Sequence, residues 1–399
     1  MQTTQAAVDT THTVPLAEPK EGVSQAAPPG RLVSLDVFRG ITVLAMILVN
    51  NPGDWGHIYA PLEHAEWNGC TPTDLIFPFF LFIVGVSLVY ALDGVKQQGG
   101  PQGPVMWRIV RRAAVLFALG VFLSLFPKFD FSTVRLLGVL QRIGLVFLAC
   151  GVIFLKTERR TQLWLLAAIL VGYNVLLQLV PVPGFGPANL EPATNLGAWL
   201  DRTLLGEAHL WKISKTWDPE GLLSTLPAVG TGLLGVITAQ WLRRRDVEPA
   251  TKVAWLFVDA GLFIALGLIW NGWFPVNKSL WTSSYVLYTG GIAVACLATL
   301  YWLCDVQGWR GWIKPFLVYG VNAITVFFLS GLIPRIMGLI KLPGANGKEL
   351  GLKEWLYQHY FEPLFADPRN ASLAGAVTLI LIWMGILWWM YSRRIIIKV

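Results

Sequence analysis

Charged residues are scarce in this chain. Only 14% of its 399 residues are Asp, Glu, Lys or Arg, against about 25% in a soluble domain. Cysteine is equally thin: Cys70, Cys150, Cys296 and Cys304 are scattered, without ligand spacing, which excludes a thiolate metal cluster and a disulfide framework. The five histidines are spread too widely for a His-rich metal site, so no metal is expected. No Walker loop, His-x-x-x-His pair or Gly-x-Ser-x-Gly elbow occurs, and no internal repeat is visible. Residues 1–30 are polar, rich in Thr, Ala, Gln and Pro, and lack an apolar stretch; they read as a disordered cytoplasmic tail rather than a signal peptide. The net charge of +7 sits in short loops, not on a basic face interleaved with aromatics, so nucleic acid is not an expected partner.

What the chain has in abundance is apolar length. Hydrophobic residues make up 54% of it, with 19 Trp and 21 Phe, and they fall in runs of about 20, the length that crosses a hydrocarbon core. The expected fold is all-α: a polytopic bundle of about ten membrane helices, near 35–51, 73–93, 107–126, 134–155, 162–181, 222–242, 253–274, 281–304, 315–334 and 371–391. Residues 31–399 then form one transmembrane domain. With the N-terminus inside, the inner segments hold 18 Lys and Arg and the longer outer segments 11, which puts both termini in the cytoplasm. Residues 52–72 contain no Lys or Arg and belong outside. The long loops 182–221 and 335–370 face the same way and are candidate substrate-binding elements.

One histidine stands out at this outer face. His64 lies between Glu63 and Glu66, just before a helix start, Thr71-Pro72-Thr73-Asp74, with Thr71 as N-cap and Pro72 at the first helical position. Asp74 is explained by capping the positive helix end, and His64 by solvation or a bond to a neighbouring glutamate. The functional reading makes His64 a base or nucleophile at the water–membrane boundary, because its ordinary pKa lies near neutrality. Polar residues within spans give a second cue, since they are costly in lipid. Asp36 and Arg39 form an i, i+3 pair at the inner end of the first span, readable as a functional pair or a snorkelling one. Arg142, beside Gln141, sits in the middle of the fourth. Asn50 closes the first span near His64, and Asn322 lies within the ninth. A polar path from Arg39 and Arg142 to Asn50 and His64 crosses the membrane, and it suits a transported solute or an extended cofactor alike.

Five stretches carry a resemblance: RLVSLDVFRGITVLAMILVN (31–50), HAEWNGCTPTDLIFPFFLFIVGVSL (64–88), RLLGVLQRIGLVF (135–147), DPEGLLSTLPAVGTGLLGV (218–236) and FPVNKSLWTSSYVLYTGG (274–291). In this order they resemble the heparan-α-glucosaminide N-acetyltransferase family of membrane acyltransferases. The resemblance implies acetyl transfer from cytoplasmic acetyl-CoA to a sugar amine across the membrane, with His64 catalytic and Asn50 a site residue. Asn50 or Asn68 would donate to the thioester carbonyl, with Asp74 as a further catalytic residue. Arg39, Arg142, Asp36, Gln141, Arg111 and Arg112 would serve the donor. Trp67, Glu66, Lys278 and Trp281 would serve the acceptor, although interfacial Trp is often a membrane-belt residue. The family's lysosomal namesake has a luminal domain and a leading helix where this sequence has a short polar tail, so the expectation is a bacterial inner-membrane relative. Its active-site loop would face the periplasm or exterior. The acceptor would be an amino sugar or glycan, with O-acetylation left open. Membrane lipid is the other expected partner, and a homodimer stays open. The competing reading is a secondary transporter for a sugar-like or amphiphilic solute.

Overall fold

The structure, a computed structural model, describes residues 32–99, 102–344 and 348–397; the tail expectation for residues 1–30 lies outside them. From the N-terminal side the helices are α1 (Val33–Asn50), α2 (Ile76–Gln98), α3 (Gly103–Leu125), α4 (Val139–Lys156), α5 (Arg159–Leu179) and α6 (Leu196–Leu205). There follow α7 (Leu222–Leu242), α8 (Pro249–Trp270), α9 (Ser283–Leu300), α10 (Lys314–Val321) and α11 (Ala323–Leu339). A small ribbon, β1 (Lys341–Pro343) paired antiparallel with β2 (Glu349–Gly351), leads to α12 (Leu352–Leu356) and α13 (Pro368–Ser392).

The described residues are all-α apart from this ribbon, as the composition predicts. Among the described residues, eight helices are long and apolar enough to cross a membrane, and α10–α11 makes a ninth if taken as one span. The remaining expected segment is α3, 23 residues long, whose first half carries Arg108, Arg111 and Arg112. Each of the ten expected runs thus falls on a helix. The ninth departs from the straight span expected: α10 and α11 meet at an angle of 76° around Asn322. The Asn322 amide donates to Ile395 O (3.1 Å) and accepts from Ile397 N (3.0 Å). Its polar groups therefore tie the break to the segment after α13, which accounts for an amide inside an apolar run.

Helix α1 is central, packed by α2, α9, α10, α11 and α13. Its first turn is held by Asp305, whose carboxylate accepts from Val33 N (3.1 Å) and Ser34 N (2.9 Å). Helix α2 packs on α7 through glycine. A Cβ on Gly85 would stand 2.0 Å from Gly232 O, and one on Gly235 would stand 2.1 Å from Phe82 O. Two backbones in such contact gain dispersion and close a seam that lipid would otherwise fill. The start of α1, the ends of α2, α4 and α7 and the start of α8 share one end of the bundle. There Lys96 donates to Phe154 O and Thr157 O, Arg243 pairs with Asp93, and Lys252 donates to Leu242 O. His64 and the long loops lie at the other end of α1.

Candidate active site

The site grows from the start of α2. Thr71 and Asp74 form a capping box around a short 3₁₀ turn, with Pro72 at its first position. Asp74 Oδ2 accepts from Thr71 N (3.0 Å), Thr71 Oγ1 (3.1 Å) and Ala65 N (3.0 Å). Its other oxygen, Oδ1, is 2.7 Å from His64 Nδ1. The two explanations of Asp74 are therefore one arrangement: the capping carboxylate, itself fully buried, holds the histidine. A carboxylate oxygen only accepts, so Nδ1 carries a proton toward Asp74 and Nε2 is the ring nitrogen turned away from it. The ring stays half exposed.

The third member comes from the loop between α8 and α9. Gly69 N donates to Val276 O (2.7 Å) and Asn277 Nδ2 to Asn68 Oδ1 (3.2 Å), docking this loop onto the histidine loop. Asn68 thus serves as a brace and does not line the cavity beside His64. Asn277 N donates to Thr282 Oγ1, Leu280 N to Asn277 Oδ1, and Trp281 N to Lys278 O. Trp281 takes a left-handed φ of 53°, uncommon for a bulky residue. This turn places Lys278 Nζ 2.9 Å from His64 Nδ1, 3.2 Å from Nε2 and 3.4 Å from Asp74 Oδ1. Burial pushes the lysine ammonium below its ordinary pKa, against the pull of Asp74 and Glu220.

His64, Asp74 and Lys278 open into a cavity of about 530 Å³, with Asn50, Glu66, Arg135, Trp211, Trp217 and Glu220 on its walls. The Asn50 amide has no hydrogen-bond partner among the described residues, which leaves it available to a carbonyl. A second cavity, about 590 Å³, is lined by Arg39, Ser87, Arg108 and Arg112. Phe80, Leu116, Ile143 and Ile324 line both cavities, so the two meet end to end alongside α1. Arg39 donates to Asp36 (3.0 Å) and Ser87 (2.8 Å), and the Arg112 guanidinium lies 5.0 Å from the Phe147 ring.

Other expected site residues lie elsewhere. Arg142 lines neither cavity. It is 1% exposed, donates to Gly221 O (3.2 Å) and Ser224 Oγ, and packs 5.0 Å from the Trp281 ring. Gln141 fits against Gly120 and donates to Leu136 O (3.3 Å). Arg111 projects from the exposed face of α3, off both cavities. Trp281 is fully buried, its N–H donating to Thr231 Oγ1 (3.1 Å), so no sugar can stack on it. Trp67 donates to Leu190 O (3.0 Å) and packs edge-on to Trp217 at 5.1 Å; Trp217 and Trp211, not Trp67, supply the aromatic wall.

The sequence reading missed Arg135, Glu220, Trp211, Trp217 and Arg108. Arg135 donates to both Asp218 oxygens (2.8 and 2.6 Å) and to Glu220; burial works to lower its pKa, but these two carboxylates together outweigh it and hold the pKa above the ordinary value. The signal was present in Asp218-Pro219-Glu220-Gly221, an acidic pair just ahead of a membrane helix. Behind it, Asp201 accepts from Leu222 N (2.8 Å), and burial pushes its carboxyl up to about 7. All four cysteines are free. Among the described residues no group of His, Cys, Asp and Glu is arranged to hold a metal ion.

Comparison with known proteins bears on this geometry. A family model described as heparan-alpha-glucosaminide N-acetyltransferase, catalytic, matches residues 31–262. The matched range holds Asn50, His64 and Asp74 and ends before Lys278. The chain is 32% identical over 357 residues to the Homo sapiens protein heparan-alpha-glucosaminide N-acetyltransferase, covering 76% of this chain and 53% of that protein. It is 30% identical over 370 residues to the Mus musculus protein of the same name, covering 78% and 55% respectively. The chain spans about half the length of the curated relatives it matches.

Proposed function

This chain belongs to the family of heparan-alpha-glucosaminide N-acetyltransferase catalytic domains, and from that membership we propose that it carries acetyl groups across a membrane. The donor is cytoplasmic acetyl-CoA, and the acceptor is an amino sugar or glycan on the periplasmic or outer side of a bacterial inner membrane. The observation that carries this reading is the pair of abutting cavities, basic at one end and holding the His64–Asp74 pair at the other.

The donor suits this shape. Arg39, Arg108 and Arg112 offer guanidinium groups to its phosphates. The apolar waist of Phe80, Leu116, Ile143 and Ile324 accepts a thin pantetheine arm, and the outer cavity receives the thioester. There the Asn50 amide donates to the thioester oxygen and stabilises the charge that develops on it. Asp74 holds Nδ1–H, so His64 presents Nε2 to the acceptor. As the amine nitrogen attacks the carbonyl carbon, His64 takes its proton, the C–S bond breaks, and coenzyme A leaves as a thiolate that is then protonated. The same lone pair serves if His64 first accepts the acetyl group itself; rapid quenching after one turnover separates the two routes by the acetyl-histidine it traps or fails to trap. Trp211 and Trp217 offer faces to a sugar ring, and Glu66 and Glu220 offer charge to its ammonium.

The test is transfer from labelled acetyl-CoA to a panel of amino sugars by purified protein. His64→Ala is expected to lower the rate by about 10²–10⁴-fold while the variant keeps its melting temperature and its affinity for coenzyme A. Full activity in that variant removes the assignment.

A further inference from the structure

Among the described residues that line the His64 cavity, Lys278 carries the one amine. Its Nζ lies within 3.2 Å of both His64 ring nitrogens, in the wall of the outer cavity, with the side chain 19% exposed. Its hold there is weak. Asp74 Oδ1 is 3.4 Å away and already takes the His64 proton, while Oδ2 is occupied by Ala65 and Thr71. Nδ1 carries a proton and cannot accept from Nζ, which leaves Nε2, the nitrogen the chemistry uses. Any acetyl group brought to Nε2 therefore arrives within contact distance of a primary amine. An acetylated lysine is an amide, too unreactive to pass the group on, so the product is terminal.

We propose that Lys278 is a self-acetylation site, modified by the enzyme's own donor when no acceptor occupies the outer cavity. This rests on the acetyltransferase reading above and adds to it an acceptor that belongs to the chain. In the step, neutral Nζ attacks the thioester carbonyl carbon, or the acetyl carbon on Nε2 if that route is used. A C–N bond forms, and the C–S bond, or the bond to Nε2, breaks. In the direct route His64 Nε2 removes the proton from nitrogen and passes it to the departing coenzyme A thiolate; in the acetyl-histidine route coenzyme A has already left, and the released Nε2 takes the proton. Burial favours the neutral amine, with Asp74, Glu220 and Cys70 as the groups that oppose it and the Asp74 carboxylate nearest. The mark abolishes the lysine charge and leaves a product-like acetamide against Nε2, which stops turnover. An arriving amino sugar competes for the same acetyl group, so acceptor supply protects the enzyme.

The experiment incubates the full purified chain with isotopically labelled acetyl-CoA, without acceptor, and maps acetyl-lysine by peptide mass spectrometry. The expected result is a labelled acetyl group on Lys278, at several-fold higher occupancy than on solvent-facing Lys128 or Lys212. Glucosamine should reduce it several-fold, and activity toward glucosamine should fall in step with its occupancy. His64→Ala should lose the mark while keeping Lys278. A chain that acetylates glucosamine yet leaves Lys278 unmodified overturns the inference and spares the acetyltransferase reading. Transfer to neither overturns both. A mark that forms equally fast in His64→Ala, or equally on surface lysines, is spontaneous chemistry and also overturns the inference.

Discussion

At the scale of single residues, two arginines in apolar surroundings have opposite fates. Arg39 lines the second cavity, donating to Asp36 and Ser87, whereas Arg142 is sealed behind Trp281, and its Nε and Nη1 have no partner among the described residues. Arg39→Ala should therefore weaken coenzyme A binding about 10–100-fold by calorimetry, the worth of a charged hydrogen bond. Arg142→Ala should leave that affinity within about threefold and instead lower the melting temperature, since it empties a filled, buried site. Equal losses of affinity would return Arg142 to the donor site. The sequence gives the cost of each arginine in lipid but not its direction. Arg142 turns toward Gly221 and Ser224, about eighty residues away along the chain, and no local pattern encodes that contact. Trp281 was misjudged for the same reason: Trp at a membrane boundary faces out or in according to what packs on it. His64 and Asp74 were legible because the capping box is a local motif, and the box itself aims Oδ1 at the ring.

At the scale of elements, the runs of apolar residues located ten helices, because length and hydropathy are summed locally. They did not reveal the 76° bend at Asn322, whose amide is matched by backbone some seventy residues downstream. Nor did they reveal the α2–α7 seam, where a glycine reads as a weak helix former until its partner backbone is known. The seam makes a clear contrast within one helix. Gly85→Ala puts a Cβ 2.0 Å from Gly232 O and should destabilise by at least the roughly 1–3 kcal/mol of an overpacked core. Gly94→Ala meets nothing within 4 Å and should be neutral or stabilising by up to about 1 kcal/mol. Melting curves of the two variants in one detergent are the check, and equal melting temperatures would mean that α2 and α7 are not in backbone contact.

At the scale of the whole molecule, the loop 182–221 is seated on the bundle through a buried acidic cluster whose protonation should be visible in stability. Asp201 titrates at about 7 in the fold because of burial, with Asp218 adding to the rise and the Leu222 amide, Arg142 and Arg202 opposing it. The fold binds this proton more tightly than the unfolded chain does. The associated stability is full below the ordinary carboxyl range and declines as pH rises through about 7. The melting temperature should thus fall between about pH 5 and pH 8. In Asp201→Asn, which keeps an acceptor for Leu222 N, that decline should flatten, and an unchanged slope would assign it to another group. Composition and charge bias gave the class and the sidedness expected of the chain. They were silent on this cluster, because the acidic pair Asp218 and Glu220 gives no hint of Asp201 beside it until α6 is folded back onto the start of α7.

The waist between the two cavities has a further consequence under the proposed reaction. Phe80, Leu116, Ile143 and Ile324 carry no charge and no polar side-chain atom, and an apolar constriction of the kind the reaction requires sheds water. Phosphates cannot follow the thioester through it, so the spent coenzyme withdraws to the side from which it came. Ions and protons find no continuous file of water to conduct them. The constriction then acts as an insulator through which a neutral two-carbon unit is handed over, and a membrane crowded with these molecules keeps its voltage.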